Sequence, residues 1–378
     1  MKRFSCERCG ARVFFENVTC EGCKAQLGFI PQELTMGSFE SDADPSGPMA
    51  RLSSASQSSY RRCVHRLPPV ACNWMVGADD TEPLCVSCRT TEVFPTLDKL
   101  ENGPRWSRIE AAKRRMTYGL LSLNLPVPNK DVDPRDGVAF HFLEDTDPKK
   151  KVLTGHDDGL ITLNIAEADD AHREDVRTRM HEPYRTLLGH FRHEIGHYYW
   201  DRLIADTPWQ ERFRALFGDE RADYGEALQR HYESPVADWP ERFISVYASS
   251  HPWEDWAECW AHYMHLWDGL ETAAAWGLRL DAAVPNTPPV EANAIGGGEQ
   301  GFRERVVADW LPISQFSNAM SRSMGGHDAY PFVMPDPVLE KLEFIHQVIA
   351  AGVRGDFQMN FGRVVVDQPE PEPIPAAA

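Results

Sequence analysis

The chain has 378 residues, 42% hydrophobic and 10% aromatic, with a formal net charge of −18. Such a length and apolar share suffice to bury a sizeable core and to build two domains. No run approaches the about 18 uninterrupted apolar residues that a membrane span needs, and the opening MKRFSCERCG reaches cysteine before any apolar segment of signal-peptide length. The expectation is a globular, non-exported, cytoplasmic protein with no membrane partner.

Charge is unevenly spread. Residues 1–95 hold 10 Lys/Arg against 11 Asp/Glu, so about −17 of the −18 lies in the remainder. An acidic main body repels phosphate backbones, which argues against nucleic acid as its partner. Eight of the nine cysteines precede residue 90. In a chain read as non-exported, clustered Cys-x-x-Cys pairs point to metal rather than disulfides.

Two such pairs open the chain, Cys6-Glu-Arg-Cys9 and Cys20-Glu-Gly-Cys23. Two intervening residues let a tight turn present both sulfurs to one ion, and two such knuckles complete a tetrahedral zinc site of the ribbon kind. Residues 37–59, rich in Gly, Ser, Pro and Asp, read as a flexible connector or long loop. Beyond them, Cys63, Cys72, Cys85 and Cys88 make a second four-cysteine set, in which His65 is an alternative to one cysteine. Segments with so few apolar residues need a staple to fold, and structural zinc supplies one. The ninth cysteine, Cys259, reads as a buried small residue.

Next, 159-GLITLNIAEAD-169 alternates β-branched and polar residues as a short strand does. Two placements are open for it: beside a cleft, where an extended peptide adds to its edge, or in the sheet interior. The segment after Pro183, which suits a first helical position, places Leu187, Leu188, Phe191, Ile195 and Tyr198 at three- and four-residue steps. On that helix His193 and His197 project from one face and suit a shared metal. Glu194, about a quarter turn away, suits a general base taking a proton from metal-activated water. Gly196 would let a second helix approach closely, and His190 reads as packing or as a supporting hydrogen bond.

A catalytic zinc takes three protein groups and keeps one open position. The chain after His197 reads Tyr198-Tyr199-Trp200-Asp201-Arg202-Leu203, which excludes the metzincin histidine. A carboxylate from a second helix is the other solution. After a helical, Trp-rich insert from Trp209 to Trp239 comes 247-YASSHPWEDWAECWAHYMHLW-267, with Ser250 and Pro252 marking a helix start and Trp256, Trp260 and Met264 an apolar stripe. Glu254 is the candidate ligand, with Glu258 one turn behind it to accept a ring N–H from a ligand histidine. Glu258 or Asp255 in the ligand role is the alternative. Tyr247 is either a donor to the oxyanion of a tetrahedral intermediate or a core residue.

Together the ribbon cysteines, CNWM and LCVSCR in the second set, ITLNIAEAD, PYRTLLGHFRHEIGHYYWDRL and YASSHPWEDWAECWAHY resemble a bacterial family of zinc-binding metallopeptidases with an amino-terminal zinc ribbon, the Peptidase_Mx type. The likeness runs from about residue 4 to at least residue 350. The pattern of Tyr247, Glu254 and Ala257-Glu258 is also similar to that of lethal-factor-type toxin proteases among the gluzincins, over the two metal helices only. That resemblance implies Glu254 as zinc ligand and Tyr247 as transition-state donor.

The expected architecture is α+β: a zinc-ribbon region at 1–95, a zincin-like metallopeptidase domain at 96–365, and a disordered, acidic, Pro-rich tail at 366–378. The expected cofactor is Zn²⁺, one catalytic and two structural ions, and the expected partner a peptide or protein substrate recruited by the ribbon. Two other readings compete. One is a ribbon adaptor or nucleic-acid binder with a non-catalytic metal, against which stand the acidic balance and Glu194. The other is a zinc amidase acting on a non-standard amide, which needs the same metal, base and oxyanion donor.

Overall fold

Residues 2–40, 47–52, 58–147, 149, 151–179, 182–281, 289–296 and 301–361 are described in a computed structural model. The amino-terminal region is built of short antiparallel strands. β1 (Phe4–Ser5) pairs with β2 (Arg12–Val13) across the first knuckle, and β3 (Gln26–Ile30) pairs with β4 (Thr35–Phe39) in full register. β5 (Met49–Ala50), β6 (Ser59–Arg62) and β7 (Met75–Gly77) form a three-stranded sheet.

The reading of 37–59 as a flexible connector is corrected for its described part. Residues 37–39 complete β4, where Ser38 is fully buried, and Met49–Ala50 form β5. The reason is a set of long-range polar contacts: Ser38 Oγ donates to Cys6 Sγ (3.4 Å), the Ser38 N–H donates to Glu7 Oε2 (2.9 Å), and Arg51 bridges Glu7 and Glu33. Residues 41–46 and 53–57 lie outside the described residues.

A four-stranded sheet follows, in the order β10-β11-β9-β8. β8 (Thr91–Val93) runs parallel to β9 (Ala139–Leu143), joined by the long helix α1 (Asn102–Ser122), and β11 (Leu160–Asn164) runs parallel to β9 on its other side. β10 (Gly155–Asp157) returns antiparallel through the two-residue turn Asp158–Gly159. Both turn residues have positive φ, 43° and 78°, as a turn matched to strand twist requires. A Cβ at position 159 would stand 2.6 Å from the Gly137 carbonyl oxygen. β11 is therefore an interior strand, and the edge belongs to β10. The remainder of the segment predicted as strand, Ile165–Ala168, is a 3₁₀ turn.

Helices cover this sheet. After α2 (Asp170–Arg179) comes α3 (Leu187–Leu203), whose Phe191 meets Phe140 and Phe142 of β9 at ring distances of 5.7 and 6.2 Å. The insert supplies α4 (Gln210–Phe217), α5 (Tyr224–Glu233) and α6 (Trp239–Arg242), as its composition predicted. α7 (Pro252–Ala275) packs along α3, and the chain continues through a small hairpin, β12 (Arg279–Leu280) and β13 (Val290–Glu291), into α8 (Phe302–Arg305), α9 (Leu311–Ser323) and α10 (Asp336–Arg354). Small sheets with packed helices make the α+β class.

One apolar core runs through both regions. Phe15 and Phe29 of the cysteine-rich part lie 5.5 and 5.8 Å from the ring of Tyr118 on α1, and β8 joins the main sheet directly after Cys88. Among the described residues no helix is long and apolar enough to cross a membrane. The predicted tail at 366–378 lies outside the described residues.

Candidate metal centre

α3 begins at Leu187, four residues later than the proline-based expectation, because the Thr186 side chain accepts the Gly189 N–H at 3.0 Å and so caps the first turn. The 3.6-residue period then sets His193 and His197 one above the other, facing α7. Gly196 lies where the helices meet: a Cβ there would be 3.1 Å from both Ala257 Cα and Trp260 Cβ, and Trp256 Nε1–H donates to the Gly196 carbonyl at 2.8 Å. α7 is capped by His251, whose Nδ1 accepts the Trp253 N–H at 3.1 Å, with Pro252 at the first helical position. Its first turn carries Glu254 toward the histidines.

His193 Nε2 and His197 Nε2 are 3.2 Å apart, and Glu254 Oε2 lies 3.0 and 3.5 Å from them. Ligand atoms about 2.0–2.1 Å from a tetrahedral zinc are separated by about 3.3–3.4 Å. The three donors thus have the mutual spacing of three corners of a zinc tetrahedron. Of the proposed carboxylates it is Glu254 that completes the cluster. Asp255 points elsewhere, to Lys341 Nζ at 2.5 Å, and Glu258 Oε1 accepts the Nδ1–H of His193 at 2.8 Å. Because that carboxylate only accepts, Nδ1 carries a proton, and Nε2 is the ring nitrogen directed at the cluster. Glu258 Oε2 in turn accepts from Ser245 Oγ at 2.7 Å, and Ser245 Oγ accepts the Ala248 N–H at 3.0 Å. This chain ties the histidine to the turn that bears Tyr247, whose ring is 5.9 Å from that of His193.

Burial acts to lower the pKa of His193, but hydrogen bonds to Glu254 and Glu258 outweigh it and hold the ring well above the ordinary histidine range. For Glu254, burial acts to raise the pKa, and the adjacent His197 and His193 hold it well below the usual carboxylate range. The cluster is a carboxylate-rich pocket that attracts a cation. Glu194 follows His193 on α3 and is 9% exposed, with its charge close enough to act on Tyr224. His190 takes no part: its Nδ1 is 3.2 Å from Glu167 Oε2, on the side of the preceding turn.

Three neighbours were not read from the sequence. Trp253 lies against His197 at 4.2 Å between ring centroids. His156, on the edge strand β10, stacks near the same ring at 6.3 Å and accepts the Gly159 N–H on Nε2 at 3.0 Å. Burial first, then the charge of His197, pushes its pKa down to about 3, so it is a neutral ring. Tyr224, first residue of α5, donates its hydroxyl to Glu254 Oε1 at 2.7 Å. Nothing in local spacing marks them, since each reaches the site from a separate element.

Both cysteine sets close into clusters. In the first, Cys6–Cys23 and Cys9–Cys20 have Sγ separations of 3.6 Å; in the second, Cys72–Cys85 is at 3.7 Å. Thiolates about 2.3 Å from a tetrahedral zinc are about 3.8 Å apart, so both sets fit a closed four-sulfur site. Backbone N–H groups of Trp74, Cys85 and Cys88 point at sulfurs of the second set at 3.4–3.5 Å. His65 is not among them; its ring packs on Trp106 at 5.5 Å. Cys259 is buried in α7, its thiol 3.5 Å from Asp255 Oδ1.

The model of the family described as "Putative zinc-binding metallo-peptidase" matches residues 102–348, and that of a zinc-ribbon domain matches residues 3–99. Proteins of Mycobacterium bovis and of two strains of Mycobacterium tuberculosis, each named as uncharacterized, are 42% identical over 368 residues, which is 97% of this chain and 100% of each relative. No solved structure matches significantly. With the family match spanning most of the chain and the ribbon model covering what precedes it, the chain belongs to the zinc-binding metallopeptidase family and carries an amino-terminal zinc ribbon.

Proposed function

We propose that the chain is a zinc-dependent peptidase in which His193, His197 and Glu254 hold the catalytic ion and the two cysteine quartets hold structural zinc. The observation that carries this reading is the tetrahedral spacing of the three donor atoms with Glu194 next to them on α3. Zinc bound there supplies Lewis acidity, lowering the pKa of a coordinated water and polarising the scissile carbonyl. Glu194 accepts the water proton and delivers it to the departing amine. Tyr247, kept protonated by burial first and then by the charge of Glu254, donates to the carbonyl oxygen as negative charge develops there. Strand β10, at the sheet edge among the described residues and in contact with α3, offers its outer side to an extended peptide. Closed thiolate sites persist in a reducing compartment, and the cytoplasm is the proposed location.

The test combines metal content with a peptide-library digest. Wild type is expected to carry three zinc ions per chain and to cleave. Glu194→Gln is expected to keep three and lose cleavage by about 10²–10⁴-fold. Cleavage retained by Glu194→Gln, or two zinc ions in wild type, would overturn the reading.

A further inference from the structure

The insert between the second histidine and the glutamate is pinned to the start of α7. The His251 ring bridges them: its Nδ1 accepts the Trp253 N–H, which leaves Nε2–H to donate to the Ala222 carbonyl at 3.0 Å. Two residues on, Tyr224 begins α5, with Asp223 capping that helix by accepting the Glu226 N–H at 2.8 Å. The phenol ring packs edge-on against His251 at 5.3 Å, and its hydroxyl reaches Glu254 Oε1. The two oxygens of Glu254 therefore have separate partners, Oε2 the histidine nitrogens and Oε1 the phenol.

We infer that Tyr224 is a positioning residue that fixes the Glu254 carboxylate with Oε2 toward the zinc, adding to the affinity of that site and keeping Oε1 off the metal; this rests on the metal site proposed above. A carboxylate binds a metal through one oxygen or both. Turning Oε1 inward would break a charge-assisted hydrogen bond of 2.7 Å and would occupy the position that a water or substrate needs. Glu254 is 2% exposed, so solvent does not replace the phenol as a partner without rearrangement.

The test is zinc retention by the full-length, zinc-loaded protein against graded 1,10-phenanthroline, counted as ions per chain, with Tyr224→Phe and Tyr247→Phe compared with wild type. Phenylalanine keeps the ring against His251 and removes only the hydroxyl. Tyr224→Phe is expected to lose one ion at about 10–100-fold lower chelator while retaining the two thiolate-held ions. It should also lower kcat more than it changes KM, whereas Tyr247→Phe should retain all three ions as wild type does. Wild-type retention in Tyr224→Phe overturns the inference and leaves the peptidase reading standing. A wild-type chain with only two ions overturns both.

Discussion

The orientation of His193 depends on one carboxylate. Glu258 accepts its Nδ1–H, and Ser245 occupies the other Glu258 oxygen, so the rotation of the ring is fixed, with a proton on Nδ1, before any metal arrives. Such outer partners typically contribute about 10–100-fold to metal affinity. Glu258→Ala should therefore weaken binding of one zinc ion by about that factor, while Glu258→Gln, which keeps an accepting oxygen, loses less. Isothermal titration of protein stripped of that one ion measures it, and equal affinities for Glu258→Ala and wild type would reduce Glu258 to a packing residue. Both His193 and its carboxylate partner were legible in the chain, because residues four apart on a helix share a face. Tyr224 was not: it stands 30 residues before Glu254, and only the clamp at His251 brings it there.

Adjacent residues of α7 serve different sides of that helix. Glu254 faces α3, while Asp255, about 100° round, turns to α10 and pairs with Lys341, which also donates to the Arg242 carbonyl at 3.1 Å. The Asp255 and Lys341 side chains are 0% and 5% exposed. Removing one partner of such a buried pair costs about 3–5 kcal/mol, the loss expected for Lys341→Met in denaturant unfolding near pH 8. Burial, partly offset by Lys341, pushes the Asp255 pKa up to about 6. An acid whose folded pKa is raised takes up its proton more readily in the folded state, so stability is gained as pH falls through that pKa. Without Lys341 the pKa rises further. The penalty should be full well above it and smaller at pH 5.5; identical losses at both pH values would show that Asp255 brings no charge into the core. The sequence named Asp255 as a possible ligand because spacing alone does not say which helix face meets which neighbour.

The two regions share a core and a sheet. Trp74, Phe15 and Phe29 converge on Tyr118, and Arg114, 6% exposed on the same helix, stands near enough to the second cysteine set to feel its charge. Two thiolate pairs around a divalent ion leave a net charge of about −2, which a buried guanidinium partly offsets. The predicted division at residue 95 also leaves β8 on the far side of the cut from its partner β9. A fragment beginning at residue 96 should thus lack a cooperative thermal transition that the full chain shows by circular dichroism. A sharp transition in the fragment would mean that the ribbon merely adorns an independent domain.

Short-range geometry marked the chemistry on offer: three Cys-x-x-Cys knuckles across the two cysteine sets, two histidines a turn apart, and a carboxylate pair a turn apart, all spacings imposed by turn and helix periods. Packing decided the rest. It put β10 at the sheet edge and β11 inside, drew residues 37–39 into β4 through Ser38 and Cys6, and set Glu254, not its neighbours, beside the two histidines. These outcomes depend on contacts between residues tens of positions apart, whose energies arise only when the shared core closes, and no local pattern in the chain records them.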